Sequence, residues 1–111
     1  MNSDTQNILV VDDDQYVLES ISALLRECGY SVISCNSGER AIKQFLENKI
    51  ELVLSNIRMP GVSGIELLDR IRSIDSRMPV ILMTGYAELN VAIDAIKRGA
   101  FDFVTKPYNP N

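Results

Sequence analysis

The chain has 111 residues, 46% hydrophobic and 23% charged, which is enough for one domain with a buried core. No apolar run reaches the ~18 residues that span a bilayer, and Met1-Asn2-Ser3-Asp4-Thr5 lacks a signal peptide's basic-then-apolar layout, so a cytoplasmic location is expected. The net charge of -4 argues against a nucleic-acid-binding surface, and the lack of any histidine removes His-based acid–base catalysis, Ser-His-Asp triads and most zinc sites.

Ile8-Leu9-Val10-Val11 reads as the first strand. Val17, Ile21, Leu24, Leu25 and Cys28 then recur on one face of a helix, which Gly29 ends as a left-handed cap. Val32-Ile33-Ser34-Cys35 is a second, more polar strand; Ser37 caps a second helix with Ala41, Ile42, Phe45 and Leu46 inward. Leu52-Val53-Leu54 is the third strand. After a Pro/Gly loop, Ser63-Gly64-Ile65-Glu66 has the form of a capping box and opens a helix carrying Leu67, Leu68, Ile71 and Ile74. Val80 to Met83 is strand four, Glu88 to Arg98 helix four with Ala92, Ala95 and Ile96 on one side, and Phe101 to Val104 strand five. Cys28 and Cys35 are expected to be two small buried thiols. Glu39/Lys43, Glu66/Arg70 and Asp94/Arg98 are spaced as acid-first pairs on solvated helix faces.

Alternating strands and helices imply a parallel sheet with right-handed crossovers and helices on both faces. Strands one, three and four are continuously apolar and belong in the middle, whereas strands two and five carry Ser34 and Asp102 and suit the edges. The expected fold is therefore a doubly wound, flavodoxin-like α/β sheet of five strands in the order 2-1-3-4-5. A fifth helix should begin where the sequence stops at Asn111, so residues 1–111 are expected to be a single domain from a longer polypeptide, without its fifth helix.

In such a sheet ligands bind beyond the carboxyl ends of the strands, at the switch in strand order. Polar residues sit at those ends: Asp12-Asp13-Asp14 after strand one, Asn56 after strand three, Thr84 after strand four and Lys106 after strand five. Clustered carboxylates repel unless a hard cation neutralises them, and Mg²⁺ suits oxygen ligands. A lysine supplies a point charge to a phosphate oxygen and a threonine hydroxyl donates to another. Each member also has a blander role: Asp13 or Asp14 as a helix cap, Thr84 as a strand end, Lys106 as a loop residue, Phe103 as core. Phe103 is spaced to swing in behind Thr84, a role compatible with the core.

Four segments carry a family resemblance: Val10-Val11-Asp12-Asp13-Asp14, Asn56-Ile57-Arg58-Met59-Pro60-Gly61, Met83-Thr84-Gly85-Tyr86 and Phe103-Val104-Thr105-Lys106-Pro107. In order and spacing the chain resembles the receiver domain of bacterial two-component response regulators. The resemblance implies a non-enzymatic, Mg²⁺-dependent phosphorelay domain that takes a phosphoryl group from a sensor histidine kinase or phosphotransfer protein. It implies Asp12 and Asp13 as the acidic metal-site pair, the main-chain carbonyl of Arg58 as a further ligand, Thr84 and Phe103 as the switch pair, and Lys106 as the phosphate contact. The Lys106–Pro107 bond is typically cis in the family. Helix four and strand five look like receivers fused to ATPase-type transcription activators, so a C-terminal output domain is expected. A homodimer is among the implied partners; direct nucleic-acid contact and a membrane are not.

Asn56 falls where the phosphorylated aspartate belongs, and an amide cannot form an aspartyl phosphate. The copy is therefore expected to be phosphorylation-deficient, to bind Mg²⁺ more weakly and to rest in its inactive conformer. Two origins fit: an engineered aspartate-to-asparagine change, favoured because every other site residue is intact, or a natural receiver without its acceptor. Ser55 should be turned from the cleft by strand alternation. Two other functions compete. One is a protein-interaction pseudo-receiver that no longer uses phosphate. The other is a haloacid-dehalogenase-type phosphatase, suggested by Asp12-Asp13-Asp14 but opposed by Tyr16 and the missing late acidic pair.

Overall fold

A computed structural model describes residues 7–85 and 89–105. Five strands, β1 (Asn7–Val11), β2 (Ser31–Cys35), β3 (Leu52–Asn56), β4 (Val80–Thr84) and β5 (Asp102–Thr105), alternate with α1 (Gln15–Glu27), α2 (Gly38–Glu47), α3 (Gly64–Ile74) and α4 (Leu89–Lys97). Every strand pair is parallel and the order is β2-β1-β3-β4-β5, as the apolar pattern predicts. β1 takes the interior because Leu9, Val10 and Val11 lose all contact with water there.

The two sheet faces carry separate cores. Leu9, Val11, Val53, Val80 and Leu82 point to one side and pack with Ala41 and Phe45 of α2, Leu67, Leu68 and Ile71 of α3, and Ala92 and Ala95 of α4. Ile8, Val10 and Val32 point to the other and pack with Leu18, Ile21 and Leu25 of α1. Cover on the α1 side is partial: by strand alternation Leu54 and Ile81, both half-buried, and Val104, 46% exposed, face the same way.

Helix starts follow their capping residues. Asp14 Oδ1 accepts the N–H groups of Tyr16 and Val17, Ser37 Oγ that of Arg40, and Ser63 Oγ that of Glu66. Gly29 and Gly99, at φ 99° and 110°, end α1 and α4 in the left-handed region that side chains other than glycine rarely adopt. Glu66–Arg70 and Asp94–Arg98 close at 3.3 and 3.0 Å, and Arg98 also reaches Asp69 at 3.1 Å. All are half-exposed and contribute tenths of a kcal/mol.

Several helix faces differ from the periodic reading. The stripe that α1 buries runs through Leu18, Ile21, Ser22 and Leu25; Leu24 is 61% exposed and Cys28 is exposed. Ser22 takes a fully buried position because its hydroxyl meets that of Ser34 on β2 at 2.7 Å, a polar contact that a count of apolar residues passes over. Cys28 is the C-cap of α1 and faces solvent, so of the two thiols only Cys35 is buried. Leu46 and Ile96 also point outward, each one position past a residue that meets the core, Phe45 and Ala95; Ile74 keeps the register of Leu67 and Ile71 but is the last residue of α3 and is 50% exposed. β5 begins at Asp102, leaving Phe101 70% exposed although its N–H still bonds Val80.

Candidate functional site

β1, β3 and β4 end side by side, and the polar groups sit at or just beyond their last residues. The ladder pairs Val11 with Ser55 and Asn56 with Met83, so the segment after Val11, residue Asn56 and residue Thr84 emerge at one edge. Asp12, Asn56 and Thr84 are buried; Asp13 is exposed at the rim.

The three consecutive aspartates have three environments. Asp14 caps α1. Asp12 is wholly buried and its Oδ1 accepts the Asp14 N–H at 2.9 Å. Asp13 turns towards β3, where its Oδ1 accepts from Asn56 Nδ2 at 3.3 Å. The same Nδ2 donates to the main-chain carbonyl of Arg58 at 2.7 Å. Asp13, Asn56 and the Arg58 carbonyl, expected from sequence to share a site, therefore meet at one nitrogen.

The loop after β3 is held closely. Ile57 N–H donates to Met83 O at 3.2 Å, and Gly64 N–H to Ile57 O at 2.7 Å. A Cβ on Gly64 would lie 2.1 Å from the Asn56 carbonyl oxygen, so α3 starts against the backbone of the site with no room for a side chain. That close approach was not read from the sequence; its signal is a glycine at the first turn of a helix, where better helix formers are available. Beside the acidic edge a groove of about 470 Å³ opens between the β3–α3 loop and α4, walled by Asp13, Arg58, Met59, Ile65 and Val91.

Thr84 and Phe103 lie on neighbouring strands and the same sheet face, with Leu82 rather than Thr84 opposite Phe103. Phe103 is half-buried and packs on the α2–α4 core, while the Thr84 hydroxyl donates to Gly85 O at 2.9 Å. Ser55 is buried, and its hydroxyl bonds the adjacent main-chain oxygen of Asn56 rather than entering the cleft. Lys106 and Pro107 lie outside the described residues.

All the oxygens at this edge are hard donors: the carboxylates of Asp12 and Asp13, the Arg58 carbonyl and, were its amide turned, Asn56 Oδ1. That donor set fits Mg²⁺, which takes carboxylate and carbonyl oxygens and keeps several waters.

Comparison with known proteins agrees on the family. The family model described as the response regulator receiver domain matches residues 8–111. The transcriptional regulatory protein ZraR of Escherichia coli (strain K12) is 41% identical over 107 residues, 96% of this chain and 24% of the relative. The regulatory protein AtoC of the same organism is 41% identical over 102 residues, 92% of this chain and 22% of the relative. This chain thus spans about a quarter of the length of these curated relatives. A crystal structure of a response regulator receiver domain protein from Clostridium thermocellum superposes with a TM-score of 0.89 at 37% identity, covering 94% of this chain and 84% of that one.

Proposed function

The chain belongs to the response regulator receiver domain family, and on that premise we propose that it is the receiver of a longer two-component regulator, with Asn56 standing at the phosphoryl-acceptor position. The observation that carries this reading is the meeting of Asp13, Asn56 and the Arg58 carbonyl at the carboxyl edge of the central strands. An aspartate in place of Asn56 would put an anionic oxygen where phosphoryl transfer needs a nucleophile. The amide has no such oxygen to offer, and the site is silent toward phosphodonors.

Each remaining group has a task in this reading. Asp12, Asp13 and the Arg58 carbonyl would hold Mg²⁺, which would neutralise the acidic edge and shield incoming phosphoryl charge. In a phosphorylated counterpart Thr84 would turn its hydroxyl from Gly85 O toward a phosphoryl oxygen and Phe103 would follow into the space behind it. The family resemblance gives Lys106, which lies outside the described residues, the contact to the phosphoryl group. Without a covalent phosphate nothing biases this pair, so Thr84 stays on Gly85 and the resting conformer dominates. A sensor histidine kinase or phosphotransfer protein is the partner upstream. Downstream, the names of ZraR and AtoC and their greater length support a regulatory output domain in the same polypeptide, and the resemblance of the α4 and β5 segments makes the ATPase-type activator class our reading of it.

Acetyl phosphate with Mg²⁺ tests the reading. Asn56→Asp should become labelled and the Asn56 chain should not; an unlabelled Asn56→Asp that still folds refutes it. Partner binding identical in the Asn56 chain and Asn56→Asp, with or without phosphodonor, would instead identify a phosphate-independent interaction module.

A further inference from the structure

Asn56 does more than lack a nucleophilic oxygen. Its Nδ2 carries two protons and has two acceptors, Asp13 Oδ1 at 3.3 Å and Arg58 O at 2.7 Å. Those acceptors choose the orientation of the amide. With Oδ1 in the same place, an acceptor would face a carboxylate and a carbonyl, and both contacts would be repulsive. Asn56 itself is only 9% exposed, so its amide has little water of its own to bond instead.

The two oxygens held by Nδ2 are the two that the site offers a cation at its rim. We propose that the Asn56 amide is a built-in competitor for the cation: its nitrogen occupies the Asp13 and Arg58 oxygens and closes the metal site from within. This rests on the reading of the edge as a receiver-type cation site. A cation that uses both oxygens must break both hydrogen bonds and drive the amide through about half a turn of its terminal torsion. The substitution thus weakens binding twice, by removing one ligand charge and by supplying an internal donor that an aspartate lacks. It also gives Asp13 a partner in the absence of metal.

The competing account is that Asn56 turns Oδ1 inward at little cost and serves as a neutral ligand. Titration calorimetry with MgCl₂ on the Asn56 chain, Asn56→Ala and Asn56→Asp separates the two. Alanine neither ligates nor competes. If the amide competes, Asn56→Ala binds Mg²⁺ about three- to tenfold more tightly than the Asn56 chain, the scale expected for release of one or two modest hydrogen bonds. Equal or weaker binding by Asn56→Ala overturns the proposal. Asn56→Asp should bind most tightly of the three. Its failure to bind would overturn the receiver reading itself, which the Asn56→Ala result does not address.

Should Asn56→Ala fail to fold, the unsubstituted chain carries the test through the Nδ2 proton resonances of Asn56. In chelator they should be well separated and slow to exchange, and should move toward exposed-amide positions as Mg²⁺ binds. Resonances that are already solvent-like in chelator, or that stay fixed while Mg²⁺ binds, overturn it.

Discussion

Oδ1 of Asp12 accepts the main-chain N–H of Asp14 at 2.9 Å, tying the buried carboxylate at the tip of β1 to the residue that caps α1. This bond sorts three adjacent aspartates into separate tasks. Asp14 spends its own carboxylate on the N–H groups of Tyr16 and Val17, leaving Asp12 and Asp13 for the site. Asp14→Ala should therefore cost about 1 kcal/mol of stability through the lost cap. Urea unfolding measures that loss. In an Asn56→Asp background the same change should leave Mg²⁺ affinity within about twofold, whereas Asp13→Ala should reduce it about tenfold or more.

Asn56→Asp should also lower stability in chelator. It replaces a donor to Asp13 with a like charge. Two unit charges 4 Å apart interact by about 4 kcal/mol at an effective dielectric of ~20. Asp13 is exposed, so a loss of about 1 kcal/mol is expected after screening. Added Mg²⁺ should restore the midpoint of thermal unfolding in this variant and shift the Asn56 chain less. A variant as stable as the Asn56 chain in chelator would show that the Asn56–Asp13 contact carries no weight.

Gly64→Ala reverses the usual sign of a glycine-to-alanine change in a helix. Alanine is intrinsically better there by about 1 kcal/mol, but its Cβ would run into Asn56 O and lie 2.8 Å from Ile57 Cα. A net loss of about 1–3 kcal/mol is expected, with displacement of the β3–α3 loop. Denaturant midpoints read the sign directly, and amide shifts at Asn56 and Ile57 report the displacement.

The two thiols should separate cleanly. Burial pushes Cys35 above its ordinary value of 9.0, partly opposed by the Arg40 guanidinium, while Cys28 is exposed at the end of α1. Iodoacetamide at neutral pH should modify Cys28 and spare Cys35, as peptide mass mapping would show. Because the folded-state value of Cys35 is raised, its contribution to stability is complete below about pH 9 and declines as pH rises further, when the unfolded chain ionises first. Cys35→Ser should flatten that alkaline decline.

Leu68→Ala and Leu46→Ala test which way the helices face. Leu68 is wholly buried in the larger core and Leu46 is 63% exposed. Truncation should cost about 2–5 kcal/mol at the first and under about 0.5 kcal/mol at the second.

Much of this protein was written in its order of residues. Continuous apolar strands and polar ones could be assigned to centre and edge without coordinates, because backbone hydrogen bonding and burial on both faces leave little choice. The strand tips followed, and with them the gathering of Asp12, Asn56 and Thr84 at one edge with Asp13 at its rim. Helix rotation was less legible. Apolar spacing put Leu24 and Cys28 of α1 inward, yet the packed helix prefers Leu18 and Ser22, since a buried serine satisfied by Ser34 is invisible to a count of apolar positions.

Only the folded arrangement decided which aspartate caps α1, how closely Gly64 approaches the backbone of Asn56, and which end of the Asn56 amide faces the acidic edge. The physical reason is the same each time. A terminal torsion or a helix rotation costs little in itself and is settled by neighbours that the chain brings from elsewhere. For Asn56 the charged one, Asp13, lies 43 residues away in sequence and 3.3 Å away in space.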